Sequence, residues 1–260
     1  MIALTIDCEQ WNSPYLRGKD VPENNKTSFS KKGNIQLLDI FRKHDIKTTF
    51  FVTGYYAERE NAQVKEIRQA GHEIASHGYN HHYRGNGEFD IYRDIEKSKR
   101  ILEKITHKKI NGFRAPQLQF SYKLLSCLDK LGFEYDSSLH PTHLSGPRNA
   151  GAYPIQIHKP FKDLRIKEVP LAVTPKLRLP MGWLWMRLLG LNWTKIMVKS
   201  LLKRGITPNI YIHSWEFTKM KSRYAPPHFN WKTGDKFSST LSKFIEHFND
   251  QKFVALSELI

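Results

Sequence analysis

At 260 residues with 40% hydrophobic content, the chain is long enough for one well-buried core and has no low-complexity tract, which excludes disordered and fibrous classes. Its 41 Lys and Arg against 25 Asp and Glu leave a formal charge of +16, enough to attract phosphates, anionic lipids or acidic polymers. That charge is diffuse, in runs such as KKGNIQ, THKKI and TKMKSR without an aromatic-studded basic ribbon, and Cys8 and Cys127 are too few for a disulfide scaffold; nucleic-acid modules and disulfide-rich folds are both set aside.

From its first residues the chain reads as structure: MIALTID is a core strand that leaves no room for a charged leader and an apolar run behind it, so a cytoplasmic location is expected. Short apolar runs then alternate with segments of helical period, the pattern of parallel strands joined by helices. Strands are predicted at 2–7, 47–53, 72–77, 111–116, 133–138, 166–172, 208–214 and 252–257. Helices are predicted between them at 33–45, 58–71, 89–106, 121–132 and 236–250, several closing on Gly or Asp as helix C-termini do. The alternation predicts an α/β fold, a distorted (β/α) barrel of about seven parallel strands forming a single domain over 1–260, with its chemistry at the carboxyl ends of the strands. The segment 142–165, rich in Gly, Pro, His and Lys, lacks periodicity and is expected to be a long loop over one face. The stretch MGWLWMRLLGLNW, 181–193, is the most apolar, yet with Arg187 inside it falls short of the about 20 apolar residues a bilayer span needs. It reads as a buried or loop-covering helix, or as a helix lying in a membrane interface.

Polar residues recur at the strand ends. TIDCEQW ends the first strand with Asp7 and Glu9, which point to one side and Cys8 to the other if the extended conformation persists. HEIASHGYNHHY ends the third with His77 and His81 at i and i+4; a helical turn there would aim both imidazoles the same way, and a carboxylate would complete an open, catalytic zinc-type set. Glu9 is the preferred third ligand, with Cys8 its rival because thiolate binds zinc well. His72 starts a strand and His82 points elsewhere, and both are left out of the set.

Taken in order, TIDCE, HGYNH, GFRAP, YDSS and YIHSWEF resemble the motifs of the polysaccharide deacetylases of carbohydrate esterase family 4, over residues 2 to about 217. The resemblance implies a metal-dependent hydrolase that removes an N-acyl group, N-acetyl first, from an amino sugar. Asp7 is then the catalytic base and Glu9, His77 and His81 hold one divalent ion, Zn2+ by preference. Arg114 keeps Asp7 charged, His213 protonates the leaving amine, and Asp136 orients His213. Cys8 stands where the commonest form of the first motif has a second aspartate, and KEVPLA and LPMGW look like segments of a branch whose first motif reads Asp-x-Glu. GFRAPQLQF lacks the tyrosine usual after its proline, so Gln117 or its neighbour becomes the backbone donor to the oxyanion. YDSSLH lacks the usual aspartate-tryptophan pair, and Trp215 either stacks on a sugar or packs. Two rival readings stand beside this one: deformylation or deacetylation of a polyprenyl-phosphate-linked sugar at the cytoplasmic membrane face, with peripheral contact through 181–193, and non-catalytic binding of an acidic glycan.

Overall fold

The computed structural model describes residues 1–11, 27–81, 90–143, 150–220 and 227–260; His82 and residues 144–149 of the expected loop lie outside them. The elements run β1 (Ala3–Cys8), α1 (Ser28–Lys43), β2 (Thr49–Val52), α2 (Gly54–Arg59), α3 (Asn61–Gln69), β3 (Glu73–Ser76), α4 (Ile91–Thr106), β4 (Gly112–Phe113), α5 (Tyr122–Lys130), β5 (Tyr135–Asp136), β6 (Lys167–Glu168), α6 (Trp183–Leu202), β7 (Asn209–His213), α7 (Pro227–Asn230) and α8 (Asp235–His247). Every strand pairing is parallel, in the order β6-β5-β4-β3-β2-β1-β7. Strands such as β1 and β2 are buried on both faces, which is why they read as continuous apolar runs rather than alternating ones.

The sheet curls into a half-barrel whose edges approach each other: Ala172 N–H donates to Asn209 C=O at 2.8 Å and the Asn209 amide to Val169 C=O at 3.2 Å. The expected eighth strand, 252–257, is reduced to a single bridge between Ile2 and Phe253, followed by a 3-10 turn, Leu256–Leu259. There the Glu258 carboxylate binds back to Ala255 N–H at 3.0 Å, a local capping bond that competes with extended pairing. The predicted helix 58–71 is broken at Glu60 (φ −118°, ψ 39°) into α2 and α3; the Glu60 side chain is held instead by Thr27 at 2.8 Å and Lys31 at 2.7 Å. The apolar stretch 181–193 is the first part of the longer α6, which turns at Gly190 with φ 83°, a conformation that glycine adopts at little cost. Among the described residues no helix is long and apolar enough to cross a membrane.

Candidate active site

The register builds the site. β1 and β7 place Asp7 and His213 opposite each other as Cα partners, so base and acid candidates come from neighbouring strand ends. Extended backbone carries Glu9 to the side of Asp7 and turns Cys8 into the core, where the Asn34 amide lies 3.2 Å from its sulfur. Burial pushes the Cys8 thiol up to about 12, against the lowering effect of that amide. The rival ligand therefore faces away, as a protonated core residue.

Asp7 is buried and meets Arg114 Nη1 at 2.7 Å; Arg114, itself fully buried, is fixed by Ser137 C=O (Nε, 3.0 Å) and Ser137 Oγ (Nη2, 2.9 Å). A guanidinium so bound presents one donor geometry to the carboxylate, which a lysine could not reproduce.

His77 and His81 converge on Glu9 with Nε2···Oε2 distances of 3.4 and 2.6 Å, and one ligand atom from each of the three lies within 4.8 Å of the others. They do so without the helical turn expected for them: residues 77–81 form a bend through Gly78 at φ 70°. Asp94 of α4 holds that bend by accepting from Tyr79 N–H (2.8 Å) and Asn80 N–H (3.2 Å). His77 Nδ1 lies 2.7 Å from Arg114 C=O, which fixes Nδ1 as the donor and frees the Nε2 lone pair, the arrangement of a metal-ligating histidine. His77 Nε2 is buried without a hydrogen-bond partner, and its 3.4 Å from Glu9 Oε2 is close to the ~3.4 Å edge of a tetrahedron with ~2.1 Å bonds. The donor set fits a divalent cation. Burial by itself raises the Glu9 carboxyl, but the charge of His81 and the contacts of both imidazoles outweigh it and hold the carboxyl well below the usual carboxylate range.

These groups open into a pocket of about 390 Å³, lined also by Gln117, His140, Trp183, Trp185, Tyr211 and Trp215. One expected partnership is corrected. Asp136 does not touch His213: it accepts from Ser138 Oγ (2.7 Å) and N–H (3.2 Å) and shares its buried site with Glu168, because the end of β5 lies across the sheet from β7. The group beside His213 is Glu216, whose Oε2 accepts from His213 N–H at 2.8 Å and lies 3.4 Å from Nδ1. Burial lowers the His213 pKa, yet Glu216, Glu9 and Asp7 together carry it above its ordinary 6.5. Trp215 offers a sugar no free face, being 1% exposed and stacked between His213 (5.1 Å) and Phe229 (5.4 Å). The half-buried Trp183 and Trp185 form that wall. Gln117 is where it was expected, at the pocket, with an uncommon φ of 58° for a side-chain-bearing residue. Glu216 and Asp94 were missed, although H-S-W-E has the spacing of a capping box and signals the first.

Comparison with known proteins agrees with this geometry. The polysaccharide deacetylase family matches residues 25–135, the segment that carries His77, His81 and Arg114. Over that segment the chain is similar to the polysaccharide deacetylases. Residues 137–260 match a domain of unknown function, DUF3473; here they form no separate unit, since β7 pairs with β1. A Helicobacter pylori peptidoglycan deacetylase is 32% identical over 148 residues, 54% of this chain and 49% of that one. The chain thus spans about half the length of that relative. Among solved structures, a Mycobacterium smegmatis protein described as a polysaccharide deacetylase superposes with a TM-score of 0.69 at 20% identity, covering 99% of this chain and 87% of the other. A family 4 acetyl xylan esterase from Clostridium thermocellum, solved with a cobalt ion, gives 0.53 at 18% identity, covering 99% and 89%. At these identities the two structures speak to the fold.

Proposed function

We propose that this chain is a metal-dependent hydrolase that removes an N-acyl group, acetyl first, from an amino sugar of a glycan. The observation that carries the proposal is the convergence of Glu9, His77 and His81 on one point of a pocket that also holds Asp7 and His213. A divalent ion held by those three residues, zinc by preference for two imidazoles and a carboxylate, would act as a Lewis acid on the amide carbonyl and on water. Asp7, oriented by Arg114, takes the proton of the attacking water. Leu118 N–H is already bound to Ala115 C=O at 3.0 Å, which leaves Gln117 N–H as the backbone donor for the oxyanion. His213, its Nε2 4.0 Å from Asp7, gives a proton to the leaving amine. The name of the H. pylori relative supports a glycan of the peptidoglycan type.

The proposal is tested by measuring bound metal and then acetate or formate release from N-acylated amino-sugar oligomers, with and without chelator. Release that stops on chelation and falls about 10²- to 10⁴-fold in Asp7→Asn supports it. A protein that binds glycan, carries no divalent ion, releases neither acid and is indifferent to Asp7→Asn is the non-catalytic acidic-glycan binder instead.

A second reading keeps the chemistry and moves the substrate to a lipid-linked sugar at a membrane face. It rests on α6, which lines the pocket through Trp183, Leu184 and Trp185 and exposes Leu188 (39%), Leu189 (47%) and Ile196 (61%). Leu189→Asp with Ile196→Asp should abolish sedimentation with anionic vesicles and spare hydrolysis of soluble substrates; unchanged sedimentation rejects this reading.

A further inference from the structure

Arg187 is a buried charged residue that the chemistry above leaves unused. It sits in the most apolar stretch of the chain, its side chain 1% exposed, where an unpaired cation would be costly. Three segments meet on it. Its Nε lies 3.0 Å from Glu216 Oε1, and its Nη1 donates to Trp231 C=O at 2.8 Å and to Phe229 C=O at 3.2 Å. Its guanidinium carbon stands 4.9 Å from the Trp183 ring and 5.8 Å from the Trp215 ring. Those rings are the two that flank the His213 imidazole, at 5.2 and 5.1 Å. Glu216, fully buried, divides its carboxylate between them: Oε1 to Arg187, and Oε2 to the backbone N–H and Nδ1 side of His213.

We propose that Arg187 and Glu216 are positioning residues that fix the orientation and tautomer of His213, Arg187 acting through Glu216. The catalytic consequence rests on the hydrolase reading; the placement does not. A buried carboxylate keeps a defined direction when an opposite charge compensates it at one oxygen and a backbone N–H donates to the other. With Oε2 held against Nδ1, that nitrogen keeps its hydrogen in both charge states, so the second proton of the imidazolium sits on Nε2, the nitrogen facing Asp7 at 4.0 Å; handing it to substrate leaves the neutral Nδ1–H tautomer. The planar fork of arginine reaches Glu216 and two carbonyls at once, which a single ammonium cannot do. This gives the segment matched to DUF3473 a task in the site: β7 supplies His213, the turn after it supplies Glu216, and α6 supplies the cation that orders both.

The test uses the full chain with its metal, in wild-type, Glu216→Gln, Arg187→Met, Arg187→Lys and double Glu216→Gln/Arg187→Met forms. The ring nitrogens of His213 are followed by ¹⁵N NMR, assigned with His213→Gln, alongside metal content and the separate kcat and KM for an N-acetylated amino-sugar oligomer. The expected result is a single Nδ1–H tautomer in the wild type and a mixed population in Glu216→Gln and Arg187→Met, with metal content unchanged. In those variants kcat falls on the order of 10- to 100-fold and KM changes little. Arg187→Lys recovers part of both signals, and the double variant is no worse than Glu216→Gln. An unchanged His213 tautomer in Glu216→Gln, or independent multiplication of the two kcat losses, overturns the proposal. If Arg187→Met does not fold, the spectra of the isosteric Glu216→Gln and of Arg187→Lys decide. A wild type that hydrolyses nothing refutes the functional reading while the NMR comparison still judges the positioning.

Discussion

Arg114 and Glu168 show how much of this site is decided by single buried charges. Arg114 connects the sheet interior to Asp7, and behind it Glu168 and Asp136 lie fully buried together. Burial first, and then the neighbouring Asp136 charge, raises the Glu168 carboxyl well above its ordinary 4.5; burial raises Asp136 as well. Glu168 Oε2, buried without a donor, is accounted for by one proton shared between the two carboxyls, which then titrate as a unit. The folded state holds that proton at pH values where the unfolded chain has released it. This contribution to stability is therefore present below about pH 4.5 and is lost as pH rises towards the raised folded value. Glu168→Gln supplies a permanent hydrogen and lacks that slope, so its melting temperature relative to wild type should rise between pH 5 and pH 8. An equal difference at both pH values would show that the pair shares no proton.

At the scale of elements, the contact between α1 and the turn after β7 carries the site. Gly33 of α1 stands so close to that turn that a Cβ built on it would lie 1.8 Å from Ser214 C=O, a backbone atom one residue from His213. Gly33→Ala must push the helix and the turn apart. We expect a loss of about 1–3 kcal/mol, read as a melting point lower by roughly 2–10 °C, with His213 displaced and hydrolysis reduced beyond what the stability loss explains. An alanine variant with wild-type melting and activity would mean that α1 tolerates the shift. Gly33 opens the stretch GNIQLLDIFRKHD that sequence periodicity marked as a helix, but its packing partner lies 181 positions on, beyond the reach of any local pattern.

For the molecule as a whole, the site is drawn from three stretches that share one sheet: the segment with Asp7 and Glu9, ahead of either family match, the deacetylase-like segment 25–135, and 137–260. Asp7 lies on β1 and His213 on β7, paired across 206 positions, and the core cluster runs from Ile2 to Phe253. Residues 137–260 expressed alone would leave β7 without β1 and expose the apolar faces of α6 and α8, so circular dichroism and hydrogen exchange should find no cooperative fold. Adding residues 1–136 in trans should restore it if the strands can pair. A cooperatively folded 137–260 fragment would show that the sheet is not the unit of stability.

The sequence by itself determined the architecture, because apolar runs and helical periods reflect local chemistry. Seven of the eight expected strands are present, and the eighth survives as one bridge. It also determined which side of β1 carries Asp7 and Glu9, since alternation along a strand is a property of the backbone. Tertiary structure decided the partners. Glu216 rather than Asp136 stands beside His213, Trp215 is packed while Trp183 and Trp185 face the pocket, and His77 meets His81 through a bend that Asp94 holds from α4. Those outcomes depend on which strand ends the sheet brings together, and long-range pairing is set by the packing of the whole core rather than by any neighbouring residue.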